Sequence, residues 1–187
     1  MEHLVTASEW KTLARVSSYH VDEDEVDKYI EECEDVFIIP AIGVALFEAL
    51  ASYANKSVVA WDESFAYSFV DGTFMLSAKD VDVLLNGGYF DDSKRKRTKG
   101  LKTTLSYYAY AKMARNDGAI ISRSGMMQHT DEYAQRVADK QKANRYNDIM
   151  SIAETYLSGC LDFIRSKIAP SVKRVRGKRT TIIAVGE

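Results

Sequence analysis

From Glu23 to Phe37 the apolar positions Val26, Ile30, Cys33 and Phe37 recur every three or four residues among acids, the spacing of one buried face on an amphipathic helix. Pro40 should end that helix, since proline cannot donate to the ladder and restricts the residue before it. Ile39 is then extended and Pro40 opens a second helix, Ala41 to about Tyr53. Glu48 is its one charge among Ile42, Val44, Ala45, Leu46, Phe47, Ala49 and Leu50, so it is expected deep in the core. A third pattern runs from Ser77 to Leu85, with Ser77 as N-cap, Asp80 three residues later as the capping-box acid, and Gly87-Gly88 as the stop. A fourth places Leu101, Leu105, Tyr108, Ala109 and Met113 on one face and closes at Asn116-Asp117-Gly118.

The ends and joints are less regular. Trp10, Leu13, Ala14 and Ser17 suggest a short first helix, Ala7 to Ser17, and Ala119 to Thr130 reads as a polar loop. The longest element is expected from Asp131 to Ile168, a length of about 55 Å at 1.5 Å per residue. Its second half has an apolar stripe through Ile149, Ala153, Tyr156, Cys160 and Phe163; its first half is polar, so it projects into solvent, packs on another subunit, or breaks near Asn144. Between Ser57 and Leu76, apolar and aromatic residues flank Asp71-Gly72, the pattern either of a hairpin or of an irregular loop anchored by its rings. After Pro170 the chain turns basic and ends in Thr180 to Val185, its most strand-prone run. That run can add to another chain's sheet or dock on the hairpin of its own chain.

The expected fold is therefore mainly α: a helical bundle over residues 1–169 with one very long C-terminal helix, a small β-hairpin within 57–76, and an extended C-terminal arm over 170–187.

Composition narrows the class. The 187 residues, 46% hydrophobic and 28% charged, suffice for one self-supporting core. No apolar run reaches the length of a membrane span, and the amino terminus lacks the basic and apolar regions of a signal peptide, so neither a membrane partner nor export is expected. Cys33 and Cys160 stand on apolar faces without metal-ligand company and read as reduced core thiols.

The net charge of -2 hides segregation. Lys94, Arg95, Lys96, Arg97, Lys99 and Lys102 form one basic cluster, and Lys173, Arg174, Arg176, Lys178 and Arg179 another. Residues 22–35 hold nine acids, Glu31 and Glu32 among them, against Lys28 alone. On a monomer such a face is merely solvated; in a ring it would meet a neighbour's basic segment.

Chemistry is thin. His3, His20 and His129 lie in loops or termini, and the metal-ligand, nucleophile-elbow and phosphate-loop spacings are absent. No catalytic residue, cofactor or metal is assigned, and an enzyme is not expected. The cluster from Lys94 to Lys102 could neutralise phosphates, which makes a non-specific DNA-binding module, acting with residues 173–179, the alternative to a structural protein.

The blocks YIEECEDVFIIPAIGVALFEAL (29–50), LLNGGYF (84–90) and GLKTTLSYYAYAKMARND (100–117) resemble the head-to-tail connector (adaptor) proteins of tailed bacteriophages, in the form found in phages and prophages of Bacteroides and their crAss-like relatives. The resemblance covers roughly residues 20 to 165. It implies a virion protein at the head-tail junction: a ring, typically of twelve copies, docked on the portal protein, extending the DNA channel and presenting a further connector or tail protein. By analogy with adaptor tails the C-terminal arm would reach the portal or a neighbouring subunit, through Lys173, Arg174, Arg176 and Arg179 with Ile182, Ile183 and Val185 as apolar anchors. Lys94, Arg95, Lys96, Arg97, Lys99, Glu31 and Glu32 would face a neighbour or the DNA.

Overall fold

The structure is a computed structural model and describes residues 3–14, 22–55, 65–69, 72–91, 96–116, 119–122, 125–128 and 139–167. It is mainly helical, with small antiparallel strand pairs at its margins. In chain order the elements are α1 (Ala7–Leu13), α2 (Glu23–Cys33), a π-helical turn (Glu34–Ile38), α3 (Ile39–Ile42), α4 (Val44–Ala54), β1 (Phe65–Phe69), β2 (Gly72–Leu76), α5 (Ala78–Asn86), β3 (Gly88–Asp91), β4 (Lys96–Thr98), α6 (Leu101–Asn116), β5 (Ala119–Ser122), β6 (Gly125–Gln128) and α7 (Asp139–Lys167).

α6 is the hub, and its residues explain why. Small and hydroxylated side chains (Thr104, Ser106, Ala109, Ala111) alternate with Leu101, Leu105, Tyr107 and Tyr108, and all are buried. The hydroxyls bond within the helix, Thr104 to the Gly100 carbonyl at 2.8 Å and Ser106 to that of Lys102 at 2.8 Å, so burial leaves no polar group wanting. Neighbours then approach from several sides. Phe37 stacks on Tyr108 at 4.3 Å between centroids, Tyr156 of α7 meets Tyr107 edge-on at 5.3 Å, and the buried Trp10 of α1 donates its indole N–H to the Ser106 carbonyl at 3.1 Å.

Val26, Ile30 and Cys33 are buried as their spacing requires. The passage through Pro40 is a correction. Ile39 is helical (φ -57°, ψ -45°), not extended, and the helix continues to Ile42. The π turn makes this workable: the Ile39 N–H reaches five residues back to the Glu34 carbonyl, and the widened turn gives the Pro40 ring room that an α-helix would deny it. The break falls at Gly43 (φ +86°), where the path turns by 119° into α4. α4 is also less immersed than its composition suggests. Leu46, Phe47, Leu50 and Ala51 are buried, whereas Ala45 is exposed and Val44 is 53% exposed, because the helix packs by one face.

Other joints differ as well. α1 stops at Leu13, not Ser17, with Ala14 extended and its buried methyl in the core. The stretch read as a polar loop, 119–130, contains the pair β5–β6, registered Ala119 to Gln128 and Ser122 to Gly125; its AII and GMM runs are strand-compatible despite their polar flanks. The hairpin is realised as β1–β2 across positions 70–71, Phe69 opposite Gly72. Ser77 and Asp80 form a complete capping box ahead of α5.

α7 runs 29 residues, about 44 Å, and does not break at Asn144. Its polar first half touches α6 at two points, where Arg145 bonds the Tyr110 hydroxyl and Arg115 stands over the Tyr146 ring at 5.1 Å, while Ala143, Asn144, Asn147 and Asp148 are exposed. Residues 131–138 and the arm 170–187 lie outside the described residues. Among the described residues no single helix is long and apolar enough to cross a membrane.

Candidate functional site

Two surfaces of opposite charge are the most distinctive places among the described residues. The first is a basic hairpin, β3–β4. Where the sequence shows only a basic cluster, the chain leaves α5 at Gly87 and returns at Gly100 through the same point. A Cβ on Gly100 would lie 2.4 Å from the Leu85 carbonyl oxygen and 2.5 Å from the Gly87 nitrogen, so the two ends of the hairpin cross where only bare backbone fits. Below this neck, Thr98 is buried and its hydroxyl lies 3.1 Å from the Cys160 sulfur of α7 while accepting from the Gly100 N–H at 3.2 Å. Phe90 packs edge-on against Phe163 at 5.2 Å.

The outer side of the hairpin carries the charge. Lys96, Arg97 and Lys99 are exposed, and Arg97 stands over the ring of Tyr89, itself 66% exposed, at 5.7 Å. Asp91 stands opposite Lys96 in the strand register. Lys102, counted in the same cluster from sequence, belongs elsewhere: it is nearly enclosed and pairs with Glu9 at 2.7 Å, joining α6 to α1. Lys94 and Arg95 lie outside the described residues.

The second surface is α2. Glu31 is exposed on it, but Glu32 is already held by Lys112 at 2.6 Å, and that hydrogen-bonded carboxylate keeps the ammonium protonated above its ordinary range, against burial, which favours the neutral amine. Glu34, counted from sequence with the solvated acids, is buried. One oxygen accepts the Leu4 N–H at 2.8 Å and the other lies 2.7 Å from His3 Nδ1. Burial pushes its carboxyl up, against the pull of His3 and Leu4. This clamp, which fastens the amino-terminal segment to the π turn, had no signal in the sequence beyond an acid on the apolar side of the turn. The contact set separates the two surfaces: the hairpin packs on α5 and α7, whereas α2 packs on α1, α6 and the π turn.

The cysteines are free and buried. Burial raises the Cys33 thiol to about 12 and also raises Cys160, so neither is a thiolate nucleophile at neutral pH. Open clefts among the described residues include one of about 300 Å³ beside His3, Thr6, Ser8, Glu23, Asp27 and Asn55, and one of about 210 Å³ along Tyr107, Ser151, Ile152, Thr155 and Tyr156. Among the described residues no group of three or more His, Cys, Asp or Glu is arranged to hold a metal ion. Lys173, Arg174, Arg176, Arg179, Ile182, Ile183 and Val185 of the expected arm lie outside the described residues.

Residues 63–178 match a family described as a family of unknown function, DUF6712, a span of more than half the chain. No curated protein and no solved structure matches.

Proposed function

This chain belongs to the DUF6712 family, whose function is unknown, and we propose that it is a structural subunit of a head-to-tail connector ring in a tailed bacteriophage. In this reading the helical body forms the ring wall beneath the portal, and the arm 171–187 carries the contact to the portal or to a neighbouring subunit.

The observation that carries the reading is how the blocks behind the resemblance lie. Residues 29–50, 84–90 and 100–117 become α2 to α4, the end of α5 with β3, and α6, and their apolar members Ile30, Ile38, Leu84, Leu105 and Tyr108 fall into a single buried cluster. The resemblance thus concerns one contiguous scaffold, while the exposed charges of α2 and of the hairpin are left for partners. The test is attachment. Removing residues 171–187 is expected to leave a folded protein with full helical circular dichroism that no longer raises the mass of portal particles in light scattering. Undiminished attachment by the shortened protein would remove the arm's assignment, and full-length protein that never joins portal particles would remove the connector reading.

A second reading, non-specific binding of duplex DNA, is favoured by one observation: Lys96, Arg97 and Lys99 are exposed, with Tyr89 alongside. It expects affinity that falls steeply with added salt.

A further inference from the structure

We propose that the acidic face of α2 docks the basic β3–β4 hairpin of a second copy of this chain, in a head-to-tail contact; this rests on the ring-forming reading and names the surfaces that would build it.

Asp24, Asp27, Glu31 and Asp35 follow one another at spacings of three, four and four, and all are exposed. Asp24 and Glu31 lie on the side of the helix away from the buried Val26, Ile30 and Cys33, Asp35 follows in the π turn, and Asp27 stands at the edge of this face, beside the cleft of His3 and Asn55. Their neighbours are committed within the chain, Glu23 to Lys11 at 2.8 Å and Glu32 to Lys112 at 2.6 Å, but none of these four has an ion-pair partner among the described residues. Lys28 is the one exposed base among them, so the face keeps an excess of acid whose repulsion along the helix a further counter-charge would relieve. The hairpin supplies three exposed cations, Lys96 with Asp91 opposite it in register and Arg97 and Lys99 beyond, on a base held by the glycine neck and by Thr98 and Phe90 beneath. Each surface also carries an exposed apolar group, Val36 (52%) next to Asp35 in the chain and Tyr89 (66%) under Arg97.

The two surfaces belong to different flanks of the molecule, the hairpin on α5 and α7, α2 on α1 and α6. Their complementarity is therefore satisfied between copies. A contact joining two different patches is heterologous: each copy offers one of each, so the same contact repeats until it closes a ring or runs on as a filament. A second copy suits the hairpin better than a nucleic acid does, because a polyanion must approach a body that is itself acidic away from its basic segments, whereas a copy brings its acids on the one face that matches.

Charge reversal tests this on the full-length protein by sedimentation at low salt. The wild type should self-associate, less so as salt is added. K96E/R97E/K99E and D24K/D27K/E31K should each lose association by more than about tenfold. Mixed in equal amounts they should associate again, since the intact α2 face of the first variant meets the intact hairpin of the second, and the two reversed faces, an acidic hairpin and a basic α2, are themselves complementary. Should a reversed protein fail to fold by circular dichroism, the neutral sets K96Q/R97Q/K99Q and D24N/D27N/E31N should still weaken association. A wild type that stays monomeric at low salt, variants that associate as the wild type does, or a mixture that remains two monomers would each overturn the proposal. Portal-bound rings that survive both reversals would overturn it while leaving the connector reading intact. A hairpin variant that loses duplex DNA yet assembles normally would assign the hairpin to nucleic acid instead.

Discussion

Glycines at two positions show how much a single missing Cβ can decide. Gly43 and Gly100 share φ +86°, a backbone region that other residues enter only with strain. Around Gly43 there is nothing within 4 Å of a built Cβ, while at Gly100 the Leu85 oxygen, the Gly87 nitrogen and the Asn86 carbonyl carbon all fall inside 2.8 Å. Gly43→Ala should therefore lose only the conformational cost, about 1–3 kcal/mol. Gly100→Ala adds a collision between backbones that cannot give way and should cost more than its counterpart, with the hairpin neck opening. Urea denaturation of the two variants side by side measures the difference; equal losses would mean that the neck is not tight.

At the scale of elements, the punctuation that sequence patterns offer is local, and it holds where the physics is local. Ser77 accepts from the Asp80 N–H at 3.2 Å, and the Asp80 carboxylate returns the bond to the Ser77 N–H at 3.2 Å, so α5 starts where the pair says it should. Ser77→Ala is expected to lower stability by about 1 kcal/mol, read as a shift in urea midpoint with unchanged slope. The same proximity failed at Pro40. A proline normally interrupts a helix, but the π turn before it, a feature of five residues acting together, admits the ring. Nor was β3–β4 legible: a run of lysines and arginines has little strand propensity, and the pairing is imposed by the crossing at Gly87 and Gly100.

Across the whole molecule, ion pairs tie the margins of the helical body together: Lys102 with Glu9, Lys112 with Glu32, Lys167 with Asp80. They give its stability a pH dependence of mixed sign. At Asp80, burial alone would raise the carboxyl, but Lys167 and the Ser77 hydroxyl and amide outweigh it and hold it below its usual 3.8. Its contribution is present above that value and is lost as pH falls through the lower, folded one. Glu34 is shifted upward from 4.5 by burial, so its contribution is full below 4.5 and is lost as pH rises through the higher, folded value. Stability curves from acid to neutral pH should then diverge in opposite ways. The deficit of Asp80→Asn grows as pH rises out of the acid range, while Glu34→Gln, which keeps an acceptor for the Leu4 N–H, gains on the wild type above pH 4.5. Curves that stay parallel to the wild type would contradict both assignments.

Periodicity by itself determined the helical class, the buried faces of α2 and α6, the cap of α5 and the two core thiols, because each follows from neighbours three or four residues apart or from burial of an apolar side chain. Charge counts likewise marked an acidic segment and a basic one. Only tertiary structure decided which of those charges are available. It drew Glu34, Glu32 and Lys102 into contacts with His3, Lys112 and Glu9, residues distant in the chain, and left Asp24, Asp27, Glu31, Asp35, Lys96, Arg97 and Lys99 facing outward. The reason is that a side chain's sign is carried by its own atoms, whereas its partner is chosen by how helices pack around α6, and that choice is non-local.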